Sequence, residues 1–249
     1  MNCPRTSLSN VLACVTTFCF FVASANAQQS VATGKWVTGE MQSDLVPTAE
    51  YGVLLPPEYS EQETYPLIML LHGGGGDRSF GTQMQPLVEA AWAAGELPPA
   101  VVVTPTAKRS FYVDFKDGSQ KWESFIVDEL IPHIRKEFRV SATRGGTVVA
   151  GVSMGGMGSL RLAFKHPDLF SAVAAVEPAI EAGAKWSQLN HVDKFYRQDG
   201  VVEEKFGDPV DEAYWASNHP ISIALANTNA LKKSGLAIYF EVGERDVLY

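Results

Sequence analysis

Beyond residue 27 the chain contains no cysteine; all three, Cys3, Cys14 and Cys19, lie near the N-terminus. That excludes a disulfide framework and a thiol nucleophile from the rest of the sequence. Basic residues are also scarce, with 20 Lys and Arg against 28 Asp and Glu and a net charge of −8. A nucleic-acid partner is therefore not expected, because neutralising a phosphate backbone takes clustered cations. Past residue 27 no apolar run approaches the about 20 residues a membrane-spanning helix needs. There is no H-E-x-x-H and no closely spaced set of histidines and carboxylates, so no metal and no cofactor is implied. Internal repeats and low-complexity tracts are absent as well.

What is present begins with a targeting pattern. Arg5 precedes an apolar stretch over residues 11–23, and Ala25-Asn26-Ala27 fits a small-residue cleavage site. Residues 1–27 are read as a secretory signal peptide, with a periplasmic or extracellular destination and no membrane attachment after cleavage. A membrane anchor is the alternative, but the stretch is short for one. Cys14 after Val11-Leu12-Ala13 resembles a lipoprotein site, with too little apolar sequence before it. Export without disulfides calls for a core large enough to hold the fold unaided, and residues 28–249, in a chain that is 46% apolar, are of single-domain size. The sequence is silent on oligomeric state.

Along residues 28–249 strand-like and helix-like patterns take turns. Residues 28–48 are polar and end in an edge strand. The run at 50–55 stops at Pro56-Pro57, since proline supplies no ladder donor. The continuous apolar run at 66–71 reads as a strand buried on both faces, 100–103 as a buried strand, and 147–150 and 172–176 as further strands. Residues 122–138 and 155–165 carry helical spacing, and 236–242 forms a last strand. This β-α-β alternation predicts a mostly parallel sheet with helices on both faces, a three-layer α/β/α sandwich. Between 178 and 235 the pattern loosens and no strand is predicted, which fits a cap or lid segment.

The strongest chemical signal is Gly151-Val152-Ser153-Met154-Gly155-Gly156. It matches G-x-S-x-G and lies where that motif requires, directly after a strand and opening a helix. Such a strand-to-helix elbow holds the serine in a strained conformation as a nucleophile, and glycine at 151 and 155 prevents collisions where strand meets helix. A tight turn that only binds an anion is the blander alternative. Leu71-His72-Gly73-Gly74-Gly75-Gly76-Asp77, also straight after a buried strand, is an HGGG-type loop. In hydrolases of this design that loop donates a backbone N–H to the oxyanion, and each such donor is worth about 3 kcal/mol in the transition state. The Met154 N–H at the helix start is the candidate second donor, with His72 and Gly73 supporting the loop. A nucleotide loop fails on spacing: no Lys-Ser or Lys-Thr follows, and Arg78 stands where a dinucleotide motif counted from Gly73 needs glycine.

An α/β-hydrolase places its triad in the order serine, acid, histidine. Gly243-Glu244-Arg245-Asp246 follows the last predicted strand, making Asp246 the candidate acid and Glu244 the runner-up. No histidine comes after Asp246. His219 and His191, in the cap segment, are weak candidates for the base. The pattern is one strand and one helix short of a full α/β-hydrolase, so a truncated C-terminus is expected. Phe111-Tyr112 and Trp122-Glu123-Ser124 could line an aromatic pocket, although core packing is the better reading.

The residues resemble the esterase D-like esterase family, which includes S-formylglutathione hydrolases, feruloyl and enterochelin esterases and antigen 85 mycolyltransferases. The likeness rests on Leu54 to Tyr59, Pro66 to Gly74, Glu123-Ser124-Phe125, Glu129 to Pro132, Arg144, Gly151 to Gly156, His166 to Phe170 and Gly243 to Asp246. It implies an α/β-hydrolase in which Ser153 is the nucleophile, Asp246 the acid and Gly74 with Met154 the oxyanion donors. The family's histidine lies beyond the acid, where this sequence departs from the pattern. The implied function is a serine carboxylesterase (a carboxylic-ester hydrolase) acting on a small-molecule or glycan-linked ester through an acyl-enzyme. Transfer of the acyl group to a sugar or lipid alcohol is one alternative, and a non-catalytic relative that binds glycans or partners is another.

Overall fold

Among the described residues seven strands form one sheet. The computed structural model describes residues 33–190, 194 and 200–245. The predicted signal peptide, His191 and Asp246 lie outside the described residues. In chain order the strands are β1 (Lys35–Glu40), β2 (Glu50–Leu55), β3 (Leu67–Leu71), β4 (Val101–Pro105), β5 (Thr147–Val152), β6 (Ala172–Val176) and β7 (Ala237–Glu241). They lie side by side in the order β1-β2-β4-β3-β5-β6-β7. β2 is antiparallel to β1 and to β4, and every other pairing is parallel.

The burial of these strands explains their sequences. All five residues of β4 are buried, which is why it reads as an unbroken run, and β3 and β5 alternate buried with half-buried positions. Leu67, Met69, Leu71, Val101, Val103 and Val149 form the centre of the core. Each such side chain contributes about 1.5–3 kcal/mol by leaving water. β7, at the edge, is exposed throughout, including Ile238, Tyr239 and Phe240.

Parallel neighbours cannot be joined by a hairpin, so helices cross between them. α1 (Phe80–Ala94) connects β3 to β4. α2 (Trp122–Ser124), a π-helical stretch (Phe125–Leu130) and α3 (Ile131–Glu137) connect β4 to β5, and α4 (Met154–Lys165) connects β5 to β6. The chain moves one way from β3 to β4 and the other way afterwards. Right-handed crossovers therefore put α1 on one face of the sheet and the later helices on the other.

Two helices differ from the sequence-based expectation. Residues 122–138, predicted as one helix, widen midway, where Ile131 N–H bonds to Ile126 O instead of the carbonyl four residues back. Pro132 follows immediately, has no N–H and needs room for its ring, and the wider turn accommodates it. α1 has no counterpart in the sequence reading. Pro86 sits inside it and interrupts the pattern that would have marked a helix.

Between β6 and β7, the described residues of 178–235 hold a 3-10 turn (Trp186–Gln188) and four short helices, α5 (Glu203–Phe206), α6 (Glu212–Asn218), α7 (Pro220–Ala226) and α8 (Thr228–Ser234). α6 starts at Asp211, whose carboxylate accepts from Ala213 and Tyr214 N–H, a standard cap for the first turn. Trp215 packs against Trp186 and Phe206 with ring centroids 5.0 and 4.9 Å apart. α7 lies against α4. Among the described residues no helix is long and apolar enough to cross a membrane.

Candidate active site

The site begins at the junction of β5 and α4. Ser153 stands between them with φ 55° and ψ −118°, a conformation L-residues seldom adopt. Three backbone bonds hold it there. Its N–H donates to Val176 O at 3.0 Å, and its carbonyl accepts from Met157 N–H and Ala179 N–H, each at 3.0 Å. The flanking glycines are required by close approach. A Cβ on Gly155 would lie 2.1 Å from Leu71 O, and one on Gly151 would lie 2.4 Å from Gly155 O. Strand, elbow and helix thus pass closer than any side chain permits.

The glycine loop lies against this elbow. A Cβ on Gly73 would sit 3.7 Å from Ser153 Cβ, while one on Gly74 would meet nothing within 4 Å, so Gly74 faces open space. The loop is fastened from behind. Gly75 N–H donates to Lys108 O at 3.0 Å and Gly76 N–H to Gly73 O at 3.2 Å. Among the described residues the N–H groups of Gly74 and Met154 have no acceptor, Met154 because it opens α4. Met154 directly follows the serine, and Gly74 follows Gly73, the loop residue that lies against it.

His72 is buried and faces away from Ser153. Its Nδ1 donates to Gly73 O at 2.7 Å, and its Nε2 accepts from Ala107 N–H at 2.9 Å. The Ala107 N–H can only be satisfied by a neutral ring protonated on Nδ1, and burial lowers the His72 pKa accordingly. Tyr112, fully buried at φ 55°, donates its hydroxyl to His72 O at 3.0 Å. The loop is therefore gripped through side chain and backbone together.

Behind Tyr112 lies a buried charge cluster that sequence reasoning did not detect. Arg161 of α4, with no exposed surface, donates from Nη1 to Phe111 O at 2.9 Å and so braces the strained Phe111-Tyr112 turn. Glu123 neutralises it, with Oε2 3.6 Å from Arg161 Nε and 2.9 Å from Lys165 Nζ, while Oε1 accepts from His166 Nε2 at 3.0 Å. Burial alone would raise the Glu123 carboxyl, but the His166 hydrogen bond and the Arg161 and Lys165 charges outweigh it and hold the pKa at about 2. Lys165 also donates to Asn218 Oδ1 at 2.9 Å, tying α4 to α6. Glu123 and Arg161 are distant in sequence, so no local pattern announces the pair. Trp122, Phe111 and Tyr112 are buried in the core, and Phe111 also lines a small cavity with Met157, Phe206 and Trp215.

Each described histidine has a hydrogen-bond partner other than Ser153. His133 Nε2 pairs with Tyr51 OH at 2.8 Å, His166 with Glu123, and His219, buried beside α7, with Glu181 O at 3.1 Å. No side chain among the described residues hydrogen-bonds to Ser153 Oγ. Glu244 lies exposed in the turn after β7. Asp246 and His191, as stated, fall outside the described residues. Nor do three His, Cys, Asp or Glu converge as a metal site among them.

A mostly parallel sheet with a strained serine on a strand-to-helix elbow and a glycine loop beside it defines the α/β-hydrolase fold. The chain belongs to the esterase family whose model, described as "Putative esterase", matches residues 47–249. Among curated relatives, an esterase of Mycobacterium tuberculosis is 36% identical over 128 residues, covering 49% of this chain and 27% of the relative. An endo-1,4-beta-xylanase/feruloyl esterase of Xylanibacter ruminicola is 32% identical over 147 residues, covering 53% of this chain and 19% of the relative. The chain thus spans about a quarter or less of the length of these two relatives. Solved structures with the same fold include an S-formylglutathione hydrolase from Agrobacterium tumefaciens, at TM-score 0.64 and 20% identity over 86% of this chain and 88% of the other. A ferulic acid esterase matches at TM-score 0.61 and 22% identity, over 87% and 93%.

Proposed function

We propose that the protein is a secreted serine carboxylesterase that forms an acyl-enzyme at Ser153. The observation that carries this reading is the strained backbone of Ser153 on the β5–α4 elbow with the glycine loop against it, and the N–H groups of Gly74 and Met154 are the proposed oxyanion donors. Ser153 Oγ attacks the ester carbonyl, and the carbonyl oxygen takes up negative charge beside those donors. Collapse expels the alcohol and leaves an ester on Ser153, which water then cleaves to release the acid. The reaction also needs an imidazole to take the serine proton and pass it to the alcohol, and a carboxylate to orient it. Asp246 is the proposed carboxylate. It lies outside the described residues, and no described imidazole is hydrogen-bonded to Ser153.

Membership in an esterase family supports ester hydrolysis, and the names of the relatives point to small esters or esters on plant-type glycans as the substrate class. The test is hydrolysis of short p-nitrophenyl esters by the full-length protein, run with and without a competing alcohol. Release of free acid in both conditions supports a hydrolase. Diversion of the acyl group to the alcohol as the main product indicates a transferase, and absence of turnover refutes the enzymatic reading.

A further inference from the structure

The carboxyl ends of β5, β6 and β7 finish in one row, because Val152 is level with Val176 and Val176 with Glu241. The residues that follow are Ser153, Glu177 and the loop expected to carry the triad acid. Glu177 has φ 45°, a left-handed conformation that a glutamate adopts only when its surroundings impose it. The bonds around it show what imposes it. On one side Val176 O accepts the Ser153 N–H, and Ala179 N–H donates to Ser153 O. On the other side Glu177 N–H donates to Glu241 O at 2.8 Å, and Glu177 Oε1 accepts from Gly243 N–H at 2.9 Å. The second carboxylate oxygen, Oε2, is buried without a partner.

We infer that Glu177 is a positioning residue that ties the loop after β7 to the nucleophile elbow and so fixes where the triad acid stands relative to Ser153. This inference rests on the esterase reading. A left-handed residue between two backbone bonds to Ser153 cannot move without moving the elbow, and its carboxylate grips the first residues of the loop. A glycine would adopt φ 45° without strain, so a glutamate here is explained by what its side chain holds. Oε2 faces the same edge with its hydrogen-bonding capacity unused among the described residues, and a buried carboxylate oxygen left so is costly unless the assembled site employs it.

The experiment compares the full-length enzyme with Glu177→Ala, Glu177→Gln, Gly243→Pro and the Ala/Pro double variant, reading kcat and KM on a p-nitrophenyl ester and the melting temperature. Glu177→Ala should lower kcat at least about tenfold with KM within about twofold, because the loss is one of alignment and not of substrate binding. Glu177→Gln should restore kcat to within about threefold of the wild type, since its amide oxygen still accepts the Gly243 N–H. Gly243→Pro deletes that N–H from the opposite side at an exposed position, so it should reproduce the loss even if Glu177→Ala folds poorly. The double variant should be no worse than either single one, as expected of partners in one bond. Wild-type kcat in Gly243→Pro, a Gln variant as impaired as a folded Ala variant, or losses that multiply in the double variant would overturn the inference. A wild-type protein without esterase activity would instead refute the esterase reading and this role with it.

Discussion

Tyr112 and His72 are joined by a hydrogen bond from the buried tyrosine hydroxyl to the histidine carbonyl oxygen, 3.0 Å long, immediately behind the glycine loop. That bond sets the backbone direction at the residue from which Gly73 and Gly74 depart. Tyr112→Phe should leave the carbonyl unsatisfied and cost about 1–2 kcal/mol of stability. It should also lower kcat more than it raises KM, since the donors it aligns act on charge that appears in the transition state. Denaturant midpoints and steady-state kinetics check both, and unchanged kcat in the variant would show that the loop needs no support from Tyr112.

The second prediction concerns the elbow. Because a Cβ on Gly155 would fall 2.1 Å from the Leu71 carbonyl oxygen, Gly155→Ala must push β3 away from α4. The expected cost is at least about 2 kcal/mol, in line with overpacked cores. A urea midpoint equal to that of the wild type would contradict the geometry.

Glu123 gives the third prediction. Its pKa drops from an ordinary 4.5 to about 2 on folding, so the stability it contributes is fully present above pH 4.5 and is lost as pH falls toward 2. The shift corresponds to on the order of 3 kcal/mol. Glu123→Gln leaves Arg161 buried without its counter-charge and should cost about 3 kcal/mol at pH 7, with a smaller loss on acidification than the wild type shows. Parallel stability-against-pH curves for the two proteins would contradict the assignment.

His72 should add a separate dependence nearer neutrality. Burial lowers its pKa below the usual 6.5, so the folded state prefers the neutral ring, and stability falls as pH drops below 6.5 toward the folded value. His72→Gln keeps neither ring contact as built and should remove this dependence while loosening the glycine loop. The check is melting temperature against pH between 5 and 8 for both proteins. An unaltered slope in the variant would show that His72 does not titrate on unfolding.

Much of this structure was legible in the sequence because strands leave apolar runs, unbroken where both faces are buried, as at Val101 to Val103. The elbow and glycine loop were legible for a different reason. Close backbone approach admits only glycine at 151 and 155, and Gly75 of the loop takes a left-handed φ of 79°. The rest depends on contacts between distant segments. α1 was hidden by Pro86 in its interior. The Glu123–Arg161 pair and the Tyr112–His72 bond join residues 38 and 40 positions apart, and no spacing rule marks them. Glu177, between a strand and Pro178, belongs to no motif, and only its φ and its hold on Gly243 set it apart.

The central claim is that Ser153 is the residue that attacks the ester. It is tested most directly by treating the full-length protein with a fluorophosphonate probe and mapping the adduct by peptide mass spectrometry, with Ser153→Ala alongside. The account predicts one adduct per chain, on Ser153, that vanishes in the variant together with esterase turnover. An adduct on another residue, or turnover that survives Ser153→Ala, would contradict it.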